Sequence, residues 1–200
     1  ELVFVDDGST DGSAEYLAKQ TFSTMVIRII KLSRNFGKEA ALTAGLDHVS
    51  GDAVIILDAD LQDPPELIPE MIEKWRSGVD VVLMQRRSRA GESWLKRSSA
   101  HLFYRILQRT SNVAIPADTG DFRLMSQRAV EALRQLPERN RFMKGLFAWV
   151  GMPTAVLTYD REPRAAGSTK WSYVGLIKLA MEGITSFSIS PLRWVMLFGP

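Results

Sequence analysis

The sequence contains no cysteine, which excludes disulfide frameworks, thiolate metal centres and cysteine nucleophiles, and only weakly favours a reducing compartment. Histidine is nearly absent too, and His101 has no second His or Cys at ligand spacing, so it reads as a helix-surface residue. A dominant sign of charge is missing: 25 Lys and Arg against 23 Asp and Glu leave a formal +2, too little to imply nucleic acid. Internal repeats, low-complexity segments and disorder-like composition are lacking. Neither G-x-G-x-x-G nor G-x-x-x-x-G-K-[ST] occurs, so dinucleotide and P-loop readings lose their main support. No apolar run reaches the ~20 residues of a membrane helix, the terminal Trp194-Val195-Met196-Leu197-Phe198 being far shorter. No signal peptide or initiator Met opens the chain, and both ends read as cut, the first inside an apparent strand at Glu1-Leu2-Val3-Phe4-Val5.

What is present is 46% apolar residues in a chain of 200, enough to bury a substantial core in one α/β domain. The chain is organised around Ala53-Val54-Ile55-Ile56-Leu57-Asp58-Ala59-Asp60-Leu61-Gln62-Asp63-Pro64-Pro65-Glu66. A short β-branched run ending in carboxylates predicts a strand buried on both faces whose carboxyl end opens onto a polar site. Asp58 and Asp60, two apart, can converge on one ion, with Gln62 extending the alternation. Two hard oxygen donors suit Mg²⁺ or Mn²⁺, which keep waters and take further ligands from a substrate diphosphate. The blander alternative is that Asp-Ala-Asp merely ends a strand. Asp63 is expected to cap the helix that follows, since Asp63-Pro64-Pro65-Glu66 fits a capping box with proline in the first turn.

Strand, polar turn and helix recur elsewhere. Leu2 to Val5 lead into Asp6-Asp7-Gly8-Ser9-Thr10-Asp11-Gly12-Ser13 and a helix from about Ala14, which puts a second acidic loop on the same sheet edge. Asp6 and Asp7 there suit a base or ribose, and Ser9 with the loop amides suits phosphate; a turn and N-cap chosen for conformation would look the same. Met25 to Leu32 is the next strand, and Arg34 and Lys38, near the start of a helix from about Lys38 to Val49, are placed to reach a nucleotide diphosphate. Cations at that end oppose the helix dipole and so need a reason.

Pro65 to Ser77 reads as a helix closed by Gly78, and Val79 to Met84 as a buried strand ending in Gln85-Arg86-Arg87-Ser88-Arg89, cations that can balance phosphate. A long helix is expected over Ser93 to Asn112. Pro116 to Met125 reads as a polar loop entering a strand, where Asp118 or Asp121 can act as a general base or position an acceptor, or be no more than turn carboxylates. Ser126 is expected to cap a helix to about Leu136, with another over Arg141 to Val150 and a strand over Thr154 to Arg161. Arg164, Gly167 and Lys170 lie in a loop that fits a lid over phosphate as well as a solvated loop. Trp171 to Phe187 is a mixed-polarity helix that can pack on the domain or lie in a membrane interface.

Four of these stretches, Val5 to Asp11, Ser33-Arg34-Asn35-Phe36-Gly37-Lys38, Leu57 to Glu66 and Thr119-Gly120-Asp121-Phe122-Arg123-Leu124, together resemble glycosyltransferase family 2. They look most like its polyprenyl-phosphate branch, which includes dolichol-phosphate mannose synthases and bactoprenol glucosyl transferases. The resemblance implies a GT-A type nucleotide-sugar fold, a mostly parallel sheet flanked by helices, whose first strand is missing here. It implies a catalytic domain over 1–170, an amphipathic juxtamembrane helix over 171–190 and the start of a truncated membrane segment over 191–200. It implies Mg²⁺ or Mn²⁺ on Asp58 and Asp60 with Gln62 nearby, and nucleotide contacts from Asp6, Asp7 and Ser9. Arg86, Arg123, Arg164 and Lys170 would serve donor or lipid phosphate, so that Asp60, Asp121, Arg123, Arg164 and Lys170 carry catalysis while Arg34, Lys38, Asp58 and Arg86 join the donor contacts.

The implied reaction is inverting transfer from a UDP-glucose or GDP-mannose type donor to undecaprenyl or dolichyl phosphate, at a membrane surface with the catalytic domain facing the cytoplasm and homo-oligomers left open. The rivals are a family 2 transferase with a saccharide acceptor, which commonly carries a Gln-x-x-Arg-Trp signature not met at Ser190-Pro191-Leu192-Arg193-Trp194, and a non-catalytic membrane module of the same fold. Nucleic-acid binding is disfavoured, because the cations sit beside carboxylates and lack an aromatic stripe.

Overall fold

The computed structural model describes residues 1–20, 24–87, 119–138, 141–160 and Met181. The expected helix over Ser93 to Asn112, the loop of Arg164 and Lys170, and all but one residue of 171–200 lie outside the described residues, as do Asp118, Arg89 and His101.

Strand β1 (Leu2–Asp6) pairs in parallel with β2 (Ile27–Lys31), Phe4 opposite Ile29. Helix α1 (Ser13–Ala18) connects them, and α2 (Lys38–His48) packs back on β1, where Gly45 lets the helix approach until an added Cβ would lie 3.2 Å from Val5 Cγ2. A second ladder holds β3 (Ala53–Ile56), β4 (Val81–Arg86), β5 (Thr119–Ser126) and β6 (Thr154–Tyr159) in the order β3-β5-β4-β6. Parallel pairing, expected from alternating strands and helices, is found for β1 with β2 and for β4 with β6. Strand β5 instead lies antiparallel between β3 and β4. It has to, because it enters at Thr119 beside Gln85, near the end of β4, and can pair only by running back.

The central strands are covered on both faces, which explains their continuous apolar runs. Val54, Ile56, Val81, Leu83 and Met125 face α2, α4 (Gln127–Arg134) and α5 (Met143–Trp149). Alternate residues Val82, Met84, Phe122 and Leu124 face α3 (Ile68–Arg76) through Met71, with Ala53 and Ile55 packed against them. Ser126 caps α4 as expected, accepting the Ala129 N–H at 3.2 Å, while its hydroxyl donates to the buried Asp80 at 2.7 Å.

Asp63 departs from its expected role. The 3₁₀ turn Pro65–Leu67 that precedes α3 is flanked by Pro64, and among the described residues no side chain caps it. Asp63 is buried at 2% exposure and accepts the Tyr159 hydroxyl instead. Two prolines in a row hold the chain extended at Pro64, φ −72° and ψ 119°, so the Asp63 carboxylate is carried away from the first-turn amides and into the sheet.

Candidate active site

Three segments deliver charged side chains to one point. Lys38, in the first turn of α2, lies 2.9 and 2.8 Å from the two carboxylate oxygens of Asp58, which follows the end of β3. The same ammonium is 2.6 Å from Asp121 on β5. Burial pulls the Lys38 ammonium down, but Asp121 and Asp58 outweigh it and hold the group above its ordinary value. Burial likewise pushes the Asp121 carboxyl up, and Lys38, Lys144 and Arg123 overcome it to hold the carboxyl below its ordinary value. The two are therefore a charged pair.

The backbone explains why Asp121 reaches Lys38. Leu83 pairs with Arg123 and Gln85 with Thr119, so one residue on β4 faces three on β5. Asp121 sits in this bulge, where a strand is bent and a side chain can be re-aimed. Bulged carbonyls lose ladder partners, and Arg123 restores them: its Nη2 donates to Gly120 O at 2.7 Å and its Nε to Asp121 O at 3.3 Å. The guanidinium stacks 3.9 Å from the centroid of Phe147, and burial pulls it down to about 10. Arg123, expected to meet phosphate, is thus only 2% exposed and braces the bulge that carries Asp121.

The loop after β1 fixes the start of α2. Asp7 accepts the amides of Phe36 and Gly37 at 2.7 and 2.9 Å, a carboxylate against the positive end of the helix. Gly8, at φ +71°, is pressed against the neighbouring loop so closely that a Cβ would lie 2.6 Å from Arg34 C and Asn35 N. Only glycine meets both conditions. Asp6 is buried; its Oδ1 accepts the Ser9 N–H at 2.9 Å, and hydrogen bonds from the Ser9 side chain and backbone hold its carboxyl low. Its Oδ2 meets no hydrogen-bond partner among the described residues. Arg34 is exposed and stacks 4.1 Å from the centroid of Phe36.

Beyond β3 the chain turns through Ala59 and Asp60, with the Gln62 N–H donating to Asp60 Oδ1 at 3.2 Å. Leu61 takes φ 56°, a left-handed conformation rarely adopted by a branched apolar residue, and is 60% exposed. Backbone held in such a conformation commonly belongs to a ligand site. Arg86, at the end of β4, borders the bulge: a Cβ on Gly120 would lie 3.4 Å from its Nη2.

Among the described residues no three His, Cys, Asp or Glu side chains converge as a protein-only metal cage. A Mg²⁺ or Mn²⁺ ion that binds with substrate phosphates needs only one or two carboxylates. Asp58 and Asp60 are the two carboxylates of one turn that would hold it, and the cation already standing against Asp58, Lys38, shows that the position suits positive charge. The residues fit such an ion.

The arrangement brings together Lys38, Asp58 and Asp121, and sets the Asp6–Ser9 loop against the chain entering α2. Glu39 and Lys144 were not legible as members. Burial pushes the Glu39 carboxyl up while it accepts the Met143 N–H at 2.9 Å, and burial pulls the Lys144 ammonium down. Lys144 and Arg123, with Thr119, Leu83 and Phe147, also line a cavity of about 230 Å³ between the sheet and α5. Only the neighbourhood of Lys38 in sequence hinted at Glu39.

Residues 1–134 match the family model described as Glycosyl transferase family 2. An uncharacterised glycosyltransferase of Synechocystis sp. is 53% identical over 198 residues, 98% of this chain and 62% of that protein. The bactoprenol glucosyl transferase of Shigella phage SfV is 50% identical over 193 residues, 96% of this chain and 63% of that protein. The chain therefore spans about three fifths of the length of these curated relatives. Among solved structures, glucosyl-3-phosphoglycerate synthase from Mycobacterium tuberculosis, in complex with Mn²⁺, UDP-glucose and phosphoglyceric acid, superposes with a TM-score of 0.55 at 20% identity, over 93% of this chain and 67% of that one. That likeness establishes the GT-A type fold.

Proposed function

The chain belongs to glycosyltransferase family 2, and from that membership we propose that it is the catalytic part of an inverting transferase that moves a sugar from a nucleotide-sugar donor to a polyprenyl phosphate. The observation that carries the choice of acceptor is the state of Asp121. A saccharide hydroxyl must be deprotonated as it attacks, which asks for a carboxylate with proton affinity near neutral pH. Asp121 is ion-paired to Lys38 and held below its ordinary value, so it is a poor base. A phosphate monoester is already anionic and needs none. Half the residues being shared with a bactoprenol glucosyl transferase supports the same acceptor.

In this reading Asp6, Asp7 and Ser9 form the nucleotide side of the site and Asp58 and Asp60 hold Mg²⁺ or Mn²⁺. Such an ion, when bound, neutralises charge developing on the departing diphosphate. Lys38 and Arg86 add positive charge, and Arg164 and Lys170 do so for the acceptor phosphate. Asp121 orients Lys38 and so keeps the ammonium at the site. Catalysis then rests on positioning and preorganised charge. The acceptor implies membrane association with the catalytic residues 1–170 on the cytoplasmic side, where nucleotide sugars are made, residues 171–190 lying at the membrane surface and 191–200 beginning a membrane segment. No helix among the described residues is long and apolar enough to cross a membrane.

Calorimetric titration of UDP-glucose and of GDP-mannose into the full chain, with Mn²⁺ and with EDTA, tests the donor assignment. Binding of one donor that disappears with EDTA is expected. Failure of both donors to bind in Mn²⁺ refutes the assignment of the site to these nucleotide sugars.

A further inference from the structure

Resting on Asp58 and Asp60 as the ion-binding carboxylates, we propose that the Lys38 ammonium is a resident counter-cation that holds Asp58 and Asp121 together until a divalent ion displaces it from Asp58. Both oxygens of Asp58 are engaged by one ammonium at 2.9 and 2.8 Å, and Asp121 by the same group at 2.6 Å. The three side chains are 36%, 31% and 12% exposed, so two carboxylates facing each other there without a cation would repel in a poorly solvated space. A divalent ion bound to Asp58 would stand beside the ammonium, and the two cations would repel in turn. Lys38 must give up Asp58.

Its neighbours determine how. The backbone of the first turn of α2 is pinned, since Asp7 holds the Phe36 and Gly37 amides and Glu39 holds the Met143 amide. The Lys38 side chain is a flexible four-carbon stem, so the ammonium moves while the helix stays. Asp121, fixed in its braced bulge, keeps it near. A nucleoside diphosphate entering with the ion gives the displaced ammonium a new anionic partner. Ion and nucleotide binding are thereby coupled: the ion alone must break an ion pair with nothing in return, and the nucleotide relieves that loss.

The test is Mn²⁺ binding to the full chain, read as loss of the free-ion EPR signal, without nucleotide and with UDP or GDP. Lys38→Gln is expected to bind Mn²⁺ alone about tenfold more tightly than the wild type, and the nucleotide's enhancement of Mn²⁺ affinity to shrink by a similar factor, within the range of coupling between linked sites. Equal or weaker Mn²⁺ binding by Lys38→Gln, while the wild type still binds Mn²⁺ with nucleotide, overturns the counter-cation role and leaves the ion site standing. No Mn²⁺ binding by either protein under any condition overturns both. Because Lys38→Gln leaves two carboxylates opposed, the comparison is repeated as Lys38→Gln in an Asp121→Asn background, folding being checked by circular dichroism; the same gain over Asp121→Asn alone is expected, and its absence overturns the proposal.

Discussion

Tyr159→Phe removes a single oxygen from the strut between the acidic turn and the edge of the sheet. Tyr159 ends β6 at 3% exposure, its ring lies edge-on to Phe122 with centroids 5.8 Å apart, and its hydroxyl donates to the buried Asp63. The variant keeps the ring, so packing is preserved and the loss is that of the hydroxyl's bonds, to the Asp63 carboxylate and to the Arg86 guanidinium. Burial and the Asp63 bond together raise the hydroxyl to about 12, against the tug of Arg86. A hydrogen bond to a charged group typically contributes about 1.5–3 kcal/mol. Below pH 10 the phenol is protonated in both folded and unfolded chains and the bond contributes fully. Between pH 10 and 12 the unfolded chain has released its proton while the folded one retains it, so stability falls as pH rises. Urea unfolding should therefore show the variant about 2 kcal/mol less stable at pH 8, a Tm loss of about 4–8 °C. By pH 11 the gap between the two proteins should be about half as large. A gap under about 0.5 kcal/mol at pH 8, or one that does not narrow by pH 11, would falsify the strut.

Two further substitutions probe other layers. Asp121→Asn leaves the shape of the bulge but withdraws one of the two anions that hold Lys38; turnover at saturating donor is expected to fall by about a hundredfold or more with little change in donor affinity, as for loss of a preorganised charge, and unchanged turnover would remove Asp121 from the reaction. Leu133→Ala, in the core between α4 and the sheet at 2% exposure, should lower stability by about 2–5 kcal/mol in chemical denaturation with catalysis intact in the folded fraction; a loss below about 1 kcal/mol would mean the helix can collapse onto the space.

Most strand and helix positions were readable from strong local signatures, whereas the polar Thr119-Gly120-Asp121, expected in a loop, already belongs to β5. Val54 to Ile56 and Val81 to Met84 are apolar runs with turn residues at both ends, and Ser126 is a helix cap in plain view. Their order in the sheet was not readable, because nothing local to Thr119–Ser126 says that it will run back between β3 and β4. The same reason hid the centre of the site: Lys38 and Asp121 are 83 positions apart by their numbers, and only the bulge brings the carboxylate within 2.6 Å. The phosphate role of Arg123 came only with the family resemblance, and its bonds to the Gly120 and Asp121 carbonyls were hidden because nothing local announces the bulge. Asp63 looked like a cap because the pattern allows one, and a long-range tyrosine outcompeted the local amides.

The cross-strand partnership of Gln85 with Thr119 has a bearing on how such a chain can diversify. Gln85 and Thr119 stand opposite each other on neighbouring strands, so the gap between them is closed by the ladder itself, whatever the length of chain in between. The entropy of closing a loop grows only with the logarithm of its length, about 0.6 kcal/mol per doubling. A change in the number of residues between the two strands thus carries a small thermodynamic penalty for the sheet. The rung lets the chain between the two strands vary in length while the carboxylates, the lysine and the sheet beneath them keep their register.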